Sequence, residues 1–185
     1  QAIHGNGFLA AFVAGLLATM REFTLLYAPN INSYKRYADG SFAPTAIGWG
    51  LDNRTCAVRL VGKGPSARLE NRVPGGDVNP YLALAAMLAG GLHGIEQQLE
   101  LEPELVGNAY TSDKLRVPST LREARDLFAA SAVARAAFGD EVVDLRKRVQ
   151  ERIVTVDVEV GEHGISDCRL QIVDFHSIFN LKSSI

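Results

Sequence analysis

Hydrophobic residues fill nearly every side of the stretch from Phe8 to about Tyr27, interrupted only by polar residues such as Arg21 and Glu22. A helix apolar on most sides is one covered by other structure. Arg21 and Glu22 cut the apolar run below the roughly 18 residues that a membrane span needs, so a buried helix is expected rather than a span or a signal core. Pro29 and the polar cluster NINS end it, and a loop, NINSYKRYADGSFAP, follows. Two short runs, TAIGWG and RTCAVRLV, then read as strands joined by the turn-like Leu51-Asp52-Asn53. KGPS reads as a turn and ARLENRV as a third strand. Short connections between consecutive strands predict antiparallel pairing.

PGGDVNP reads as a strand-to-helix turn, with Asn79 as N-cap and Pro80 at the first helical position. The helix it opens, PYLALAAMLAGGLHGIEQQL, is again apolar nearly all round in its first half. Residues Glu100 to Pro118 are polar and loop-like. Ser119 or Thr120 caps LREARDLFAASAVARAAFG, which Gly139 closes. After Val143 the pattern changes to a short charged helix, DLRKRVQER, and a strand-like alternation, IVTVDVEV. The expected fold is α+β, with antiparallel strands packed against long apolar helices.

Composition alters this picture little. The 185 residues are 47% hydrophobic and 22% charged, with net charge −2. No global field favours nucleic acid or an acidic membrane surface, so any anion site is local. Cys56 and Cys168 match no zinc or redox spacing, and Cys56 within TCAVRLV reads as a small buried thiol. Without a disulfide framework the expected compartment is the cytoplasm. His4, His93, His163 and His176 form no metal-ligand spacing.

Charge is concentrated in one window. Arg54, Arg59, Lys63, Arg68 and Arg72 face only Glu70, and Lys35 and Arg36 precede them in the loop. In a strand, Arg68, Glu70 and Arg72 share one face. Guanidinium groups bind carboxylate and phosphate bidentately and stay charged, and a hard divalent cation bridging phosphates takes an oxygen ligand such as Glu70. An ATP-type phosphate and carboxylate site is one reading. Cross-strand ion pairs on a solvated sheet face, at about 0.2–1 kcal/mol each, are the other. The glycine spacing of PGGDVNP matches neither a Walker loop nor a dinucleotide fingerprint. Trp49 and Phe42 suit stacking on a ligand or anchoring of core and loop.

Taken in order, NINSYKRY, the FAP-to-WG step, DNRTCAVRLV and RLENRVPGGDVNPYLALAAMLAGGLHGIE resemble the glutamine synthetase family. The likeness is to the later part of its C-terminal catalytic domain, from about Phe8 to about Val143. It implies a partial catalytic domain over 1–143, with 144–185 departing from the family pattern. It also implies a ligase in which ATP phosphorylates the γ-carboxylate of glutamate and an amine then displaces phosphate. By the same resemblance Arg36 binds glutamate, and Arg54 and Arg59 contact ATP phosphates and the reacting phosphoryl group. Arg68 contacts ATP, Glu70 ligates Mg²⁺ or Mn²⁺, and Arg72 holds the substrate carboxylate and the γ-glutamyl phosphate. Arg54 and Arg72 are thus the catalytic candidates. Family members form homo-oligomeric rings, and no nucleic-acid or membrane partner is implied.

Three departures qualify the likeness. Where glutamine synthetases carry a flap glutamate that helps deprotonate ammonium, Phe42 stands here, with Asp39 nearby. A bulky aromatic in place of an anion fits the γ-glutamylamine ligases of the same family, which take ethanolamine or polyamines. The N-terminal β-grasp domain and the other metal carboxylates have no counterpart, so this chain alone is expected to be inactive, with exposed apolar surface on its two long helices. The ending from Asp144 differs from the usual one. Glutamine synthetase proper, using ammonia, and a non-catalytic homologue acting as an interaction subunit are the alternative readings.

Overall fold

The computed structural model describes residues 7–62, 66–148 and 150. His4, His163, His176, Cys168 and the strand expected over 153–160 lie outside the described residues. The first long helix, α1 (Gly7–Tyr27), buries most of its length, including Val13, Leu16, Met20, Phe23, Leu25 and Tyr27. It is long and apolar enough to cross a membrane, but here its apolar surface packs against α2 (Pro80–Glu96) and α3 (Leu121–Ala130).

Glycine sets how closely α1 and α2 approach. A methyl group at Gly15 would overlap the main chain of Gly90 and Gly94, and one at Gly94 would overlap that of Ala11 and Gly15. The helix α2 starts as its sequence dictates: the Asn79 side chain accepts from the amides of Tyr81 at 3.0 Å and Leu82 at 3.3 Å. Its other face leaves Tyr81, Leu84, Leu88 and Leu92 more than half exposed, the apolar surface expected for this helix.

The run after Thr120 is two helices, not one. Thr120 caps α3, and Ser131 ends it and caps α4 (Ala132–Phe138). The Ser131 hydroxyl accepts from the Ala134 amide at 2.9 Å and donates to Glu22 on α1. This tertiary bond fixes the break, which the alanine-rich sequence conceals. Arg21 ties α1 to α3 through Glu123 at 2.8 Å. Gly139 closes α4 at φ 80°, and residues 140–148 are helical, with Val143 fully buried.

The sheet corrects the antiparallel expectation. Its three strands, β1 (Ala46–Leu51), β2 (Cys56–Val61) and β3 (Arg68–Asn71), lie in that order. β2 and β3 are antiparallel, but β1 and β2 are parallel, although only residues 52–55 connect them. A parallel pair ordinarily needs a dozen or more connecting residues. Here Asp52 takes a left-handed φ of 50° and reverses the chain at once. Asn53 then pins the return, donating to the carbonyls of Leu105 at 3.1 Å and Gly107 at 2.8 Å and accepting from Thr55. The polar stretch 100–118 is therefore more than a loop. It covers the free edge of β1 through Leu105 N to Trp49 O (2.9 Å), Ile47 N to Leu115 O (2.7 Å) and Val117 N to Thr45 O (2.9 Å). Trp49 is buried and donates from its indole to Glu102 O at 2.8 Å, so it is a core anchor. Cys56 is fully buried, as its surroundings in sequence predict.

Candidate functional site

The arginine window folds into one charged face built by β2, β3 and the β1–β2 connection. Arg59 on β2 stands opposite Glu70 on β3 in the antiparallel register. Its guanidinium lies 2.9 Å from Glu70 and also holds Asp52. Arg68, on the same strand face as Glu70, reaches its other oxygen at 3.1 Å. The alternation of RLENR thus does place plus and minus charges side by side.

The acids here are held ionised. Hydrogen bonding from Arg59 lowers the pKa of Glu70, with Arg68 adding to it. Arg59 does the same for Asp52, with smaller help from Arg54 and Arg68. Asp52 stands two residues before Arg54 and is the partner that the sequence reading missed. Its signal was its place in the turn that leads from β1 through Arg54 to the strand carrying Arg59.

Arg72 follows directly after β3 and is half-buried. Its Nη2 donates to Phe42 O at 2.7 Å, while its buried Nε has no acceptor. Burial first, and then the charges of Arg59 and Arg54, lower its pKa from the ordinary arginine value. Arg54, Arg59, Arg68 and Arg72 therefore stand about Glu70 and Asp52, two acids against four cations among the described residues of this face. An incompletely paired, partly desolvated guanidinium in such a setting is a donor directed at an anion. Arg54 itself is exposed at the edge of this face.

Arg36 comes from a different element. The segment expected as loop forms a 3₁₀ turn, Ile31–Arg36. Arg36 sits at its end, donates from Nη2 to Val73 O beside Arg72, and lies 5.3 Å from the Tyr37 ring centre. Arg54, Arg59, Arg68, Glu70 and Arg72 thus belong to one charged face, and Arg36 is joined to the chain just beyond it through Val73 O. Phe42, between Arg36 and β1 in sequence, is 67% exposed with a left-handed φ of 60°.

The donor set does not complete a metal centre. Both Glu70 oxygens are engaged by arginines, and no group of three metal-ligating side chains occurs among the described residues. What the face offers chemically is dense, oriented positive charge suited to phosphoryl and carboxylate oxygens.

The chain is similar to known proteins over most of its length. The family model described as glutamine synthetase, catalytic domain, matches residues 4–155. A γ-glutamylethanolamide synthetase of Streptomyces coelicolor is 67% identical over 132 residues, 71% of this chain and 29% of that protein. A glutamate–isopropylamine ligase of a Pseudomonas species is 47% identical over 137 residues, 72% of this chain and 30% of its own. A γ-glutamylputrescine synthetase of Escherichia coli is 38% identical over 133 residues, 71% and 28% of the two chains. A solved GmaS/ADP complex superposes with a TM-score of 0.74 at 30% identity, covering 83% of this chain and 37% of that one. The chain therefore spans less than a third of the curated relatives just named.

Proposed function

Because the chain belongs to the glutamine synthetase catalytic-domain family, we propose that it forms part of an ATP-dependent ligase joining the γ-carboxylate of glutamate to a small amine. The observation that carries this reading is the charged face itself: Arg54, Arg59, Arg68 and Arg72 about Glu70, with the buried Nε of Arg72 lacking an acceptor.

In the first step a γ-carboxylate oxygen of glutamate attacks the terminal phosphorus of ATP, the new P–O bond forms, and ADP leaves. Charge builds on the phosphoryl oxygens, and guanidinium groups fixed beforehand stabilise it. Arg54, Arg59 and Arg68 are assigned to the nucleotide phosphates, and Arg36 to the glutamate. Arg72 holds the glutamyl group and its phosphate. In the second step the free amine attacks the γ-carbonyl carbon, the C–O bond breaks, phosphate departs, and the nitrogen loses one proton.

Glu70 is proposed as one ligand of a divalent metal, Mg²⁺ or Mn²⁺, whose other ligands come from outside the described residues. Such a metal would supply Lewis-acid stabilisation of the charge that develops on the transferring phosphoryl group. The reading further takes the enzyme to be a cytoplasmic homo-oligomer in the ring form of its family.

Phe42 favours an organic amine over ammonium. Its main-chain oxygen accepts from Arg72, and its exposed side chain brings apolar surface rather than a carboxylate. The named relatives act on ethanolamine, isopropylamine and putrescine, which supports the same choice. Phosphate release by the full-length enzyme, measured with ATP, glutamate and each of ethanolamine, putrescine and ammonium, tests it. Higher kcat/KM for an organic amine is expected, and preference for ammonium would overturn the assignment of Phe42.

A further inference from the structure

The loop between β3 and α2 carries an acid that the reading above does not use. Asp77 Oδ2 accepts from Ser33 Oγ at 2.5 Å and from Asn30 Nδ2 at 3.1 Å. Asn30 caps the 3₁₀ turn that ends in Arg36, and Ser33 is the turn's third residue. Ser33 Oγ also accepts from the Asn30 amide at 3.1 Å, so both donors to Asp77 belong to one cap.

The far end of the turn is bound to the same loop. Val73 O accepts from Arg36 Nη2 and, at 3.0 Å, from Tyr37 Oη. Gly75 lies between these two anchors. A methyl there would come within 2.6 Å of Asp77 Oδ1, so the carboxylate would have to shift, whereas Arg36 Nε at 3.4 Å would be in ordinary contact. The turn is short, and an isolated turn of this kind has little stability of its own. Its placement rests on these side-chain bonds together with Tyr34, which is buried in the core.

We propose that Asp77 is a positioning residue for glutamate recognition: it clamps the start of the 3₁₀ turn through Asn30 and Ser33, and so fixes where Arg36 presents its guanidinium. The inference rests on the proposed role of Arg36. Asp77 does not touch the substrate. Loss of its two bonds lets the turn shift, and the cost appears in binding of the group that Arg36 holds. Nucleotide binding, assigned to β2 and β3, is unaffected.

The test is steady-state kinetics of the full-length enzyme and its Asp77→Ala and Asp77→Asn variants. In Asp77→Ala the KM for glutamate is expected to rise about tenfold, the range for net loss of such bonds at a surface. The KM for ATP is expected to stay within twofold, and Asp77→Asn to fall between the parent and alanine. The Asn30→Ala, Ser33→Ala double variant, which retains Asp77, is expected to give the same rise, and adding Asp77→Ala to it no further rise. A role in general stability would instead lower active enzyme and kcat with glutamate KM unchanged, and that result in either set of variants overturns the proposal. Absence of glutamate-dependent ATP turnover in the parent enzyme would instead mark failure of the functional reading itself.

Discussion

The Nη2 of Arg72 lies 2.7 Å from the main-chain oxygen of Phe42, thirty residues earlier in the chain. The bond ties the charged end of β3 to the loop that carries the aromatic side chain. Because the acceptor is main chain, the tie does not depend on what side chain residue 42 has.

Substitution at residue 42 therefore separates selectivity from stability. Phe42 has a left-handed φ of 60°, a conformation costing L-residues about 1–2 kcal/mol, and its side chain is largely exposed. Phe42→Gly is expected to be no less stable than the parent in chemical denaturation. Its ratio of kcat/KM for ethanolamine over ammonium falls. Phe42→Glu lowers that ratio further by adding a carboxylate that attracts ammonium.

Acid weakens the charged face in a defined direction. Glu70 and Asp52 have pKa values below their ordinary 4.5 and 3.8, chiefly because Arg59 donates to both. A depressed carboxylate contributes stability that is fully present above its ordinary pKa and is lost as pH falls through the lowered, folded value. The contribution is thus complete above about pH 5 and declines below the ordinary values. Thermal unfolding across acid pH is expected to show this decline, and the double variant Asp52→Asn, Glu70→Gln to flatten it.

Much of this architecture was legible in the sequence, because the signals were local. Asn79-Pro80 announced α2, Gly139 ended α4, and the apolar run before Tyr27 gave α1. The parallel pairing of β1 and β2 was not legible. It depends on the positive φ of Asp52 and on Asn53 bonding to Leu105 and Gly107, more than fifty residues away. The break at Ser131 likewise depends on Glu22. At the site, the arginines and Glu70 were visible as a charge imbalance. Asp52 and Asp77 were hidden among turn residues, where an acid reads as ordinary turn chemistry. Their partners, Arg59 on β2 and Asn30 and Ser33 in the 3₁₀ turn, come from other elements.

Close packing of α1 on α2 predicts a sharp response to small substitutions. A methyl at Gly94 meets main chain of Ala11 and Gly15, which cannot move aside as a side chain would. Gly94→Ala is expected to destabilise by about 1–3 kcal/mol or more, as overpacking does. A lowered denaturant midpoint measures it.

The Cys56 thiol is fully buried, and burial raises its pKa to about 11. Thiolate is the reactive form, so in a Cys168→Ser background native enzyme at pH 8 is expected to resist alkylation. Mass spectrometry before and after denaturation checks this, with modification appearing only in the unfolded protein.

The proposed ligase reaction runs through a γ-glutamyl phosphate. Glutamate labelled with ¹⁸O in its γ-carboxylate, supplied with ATP and ethanolamine to the full-length enzyme, tests it most directly. One labelled oxygen in each phosphate released, with γ-glutamylethanolamide as the product, is the expected result. Unlabelled phosphate, or release of phosphate without amide, would contradict it.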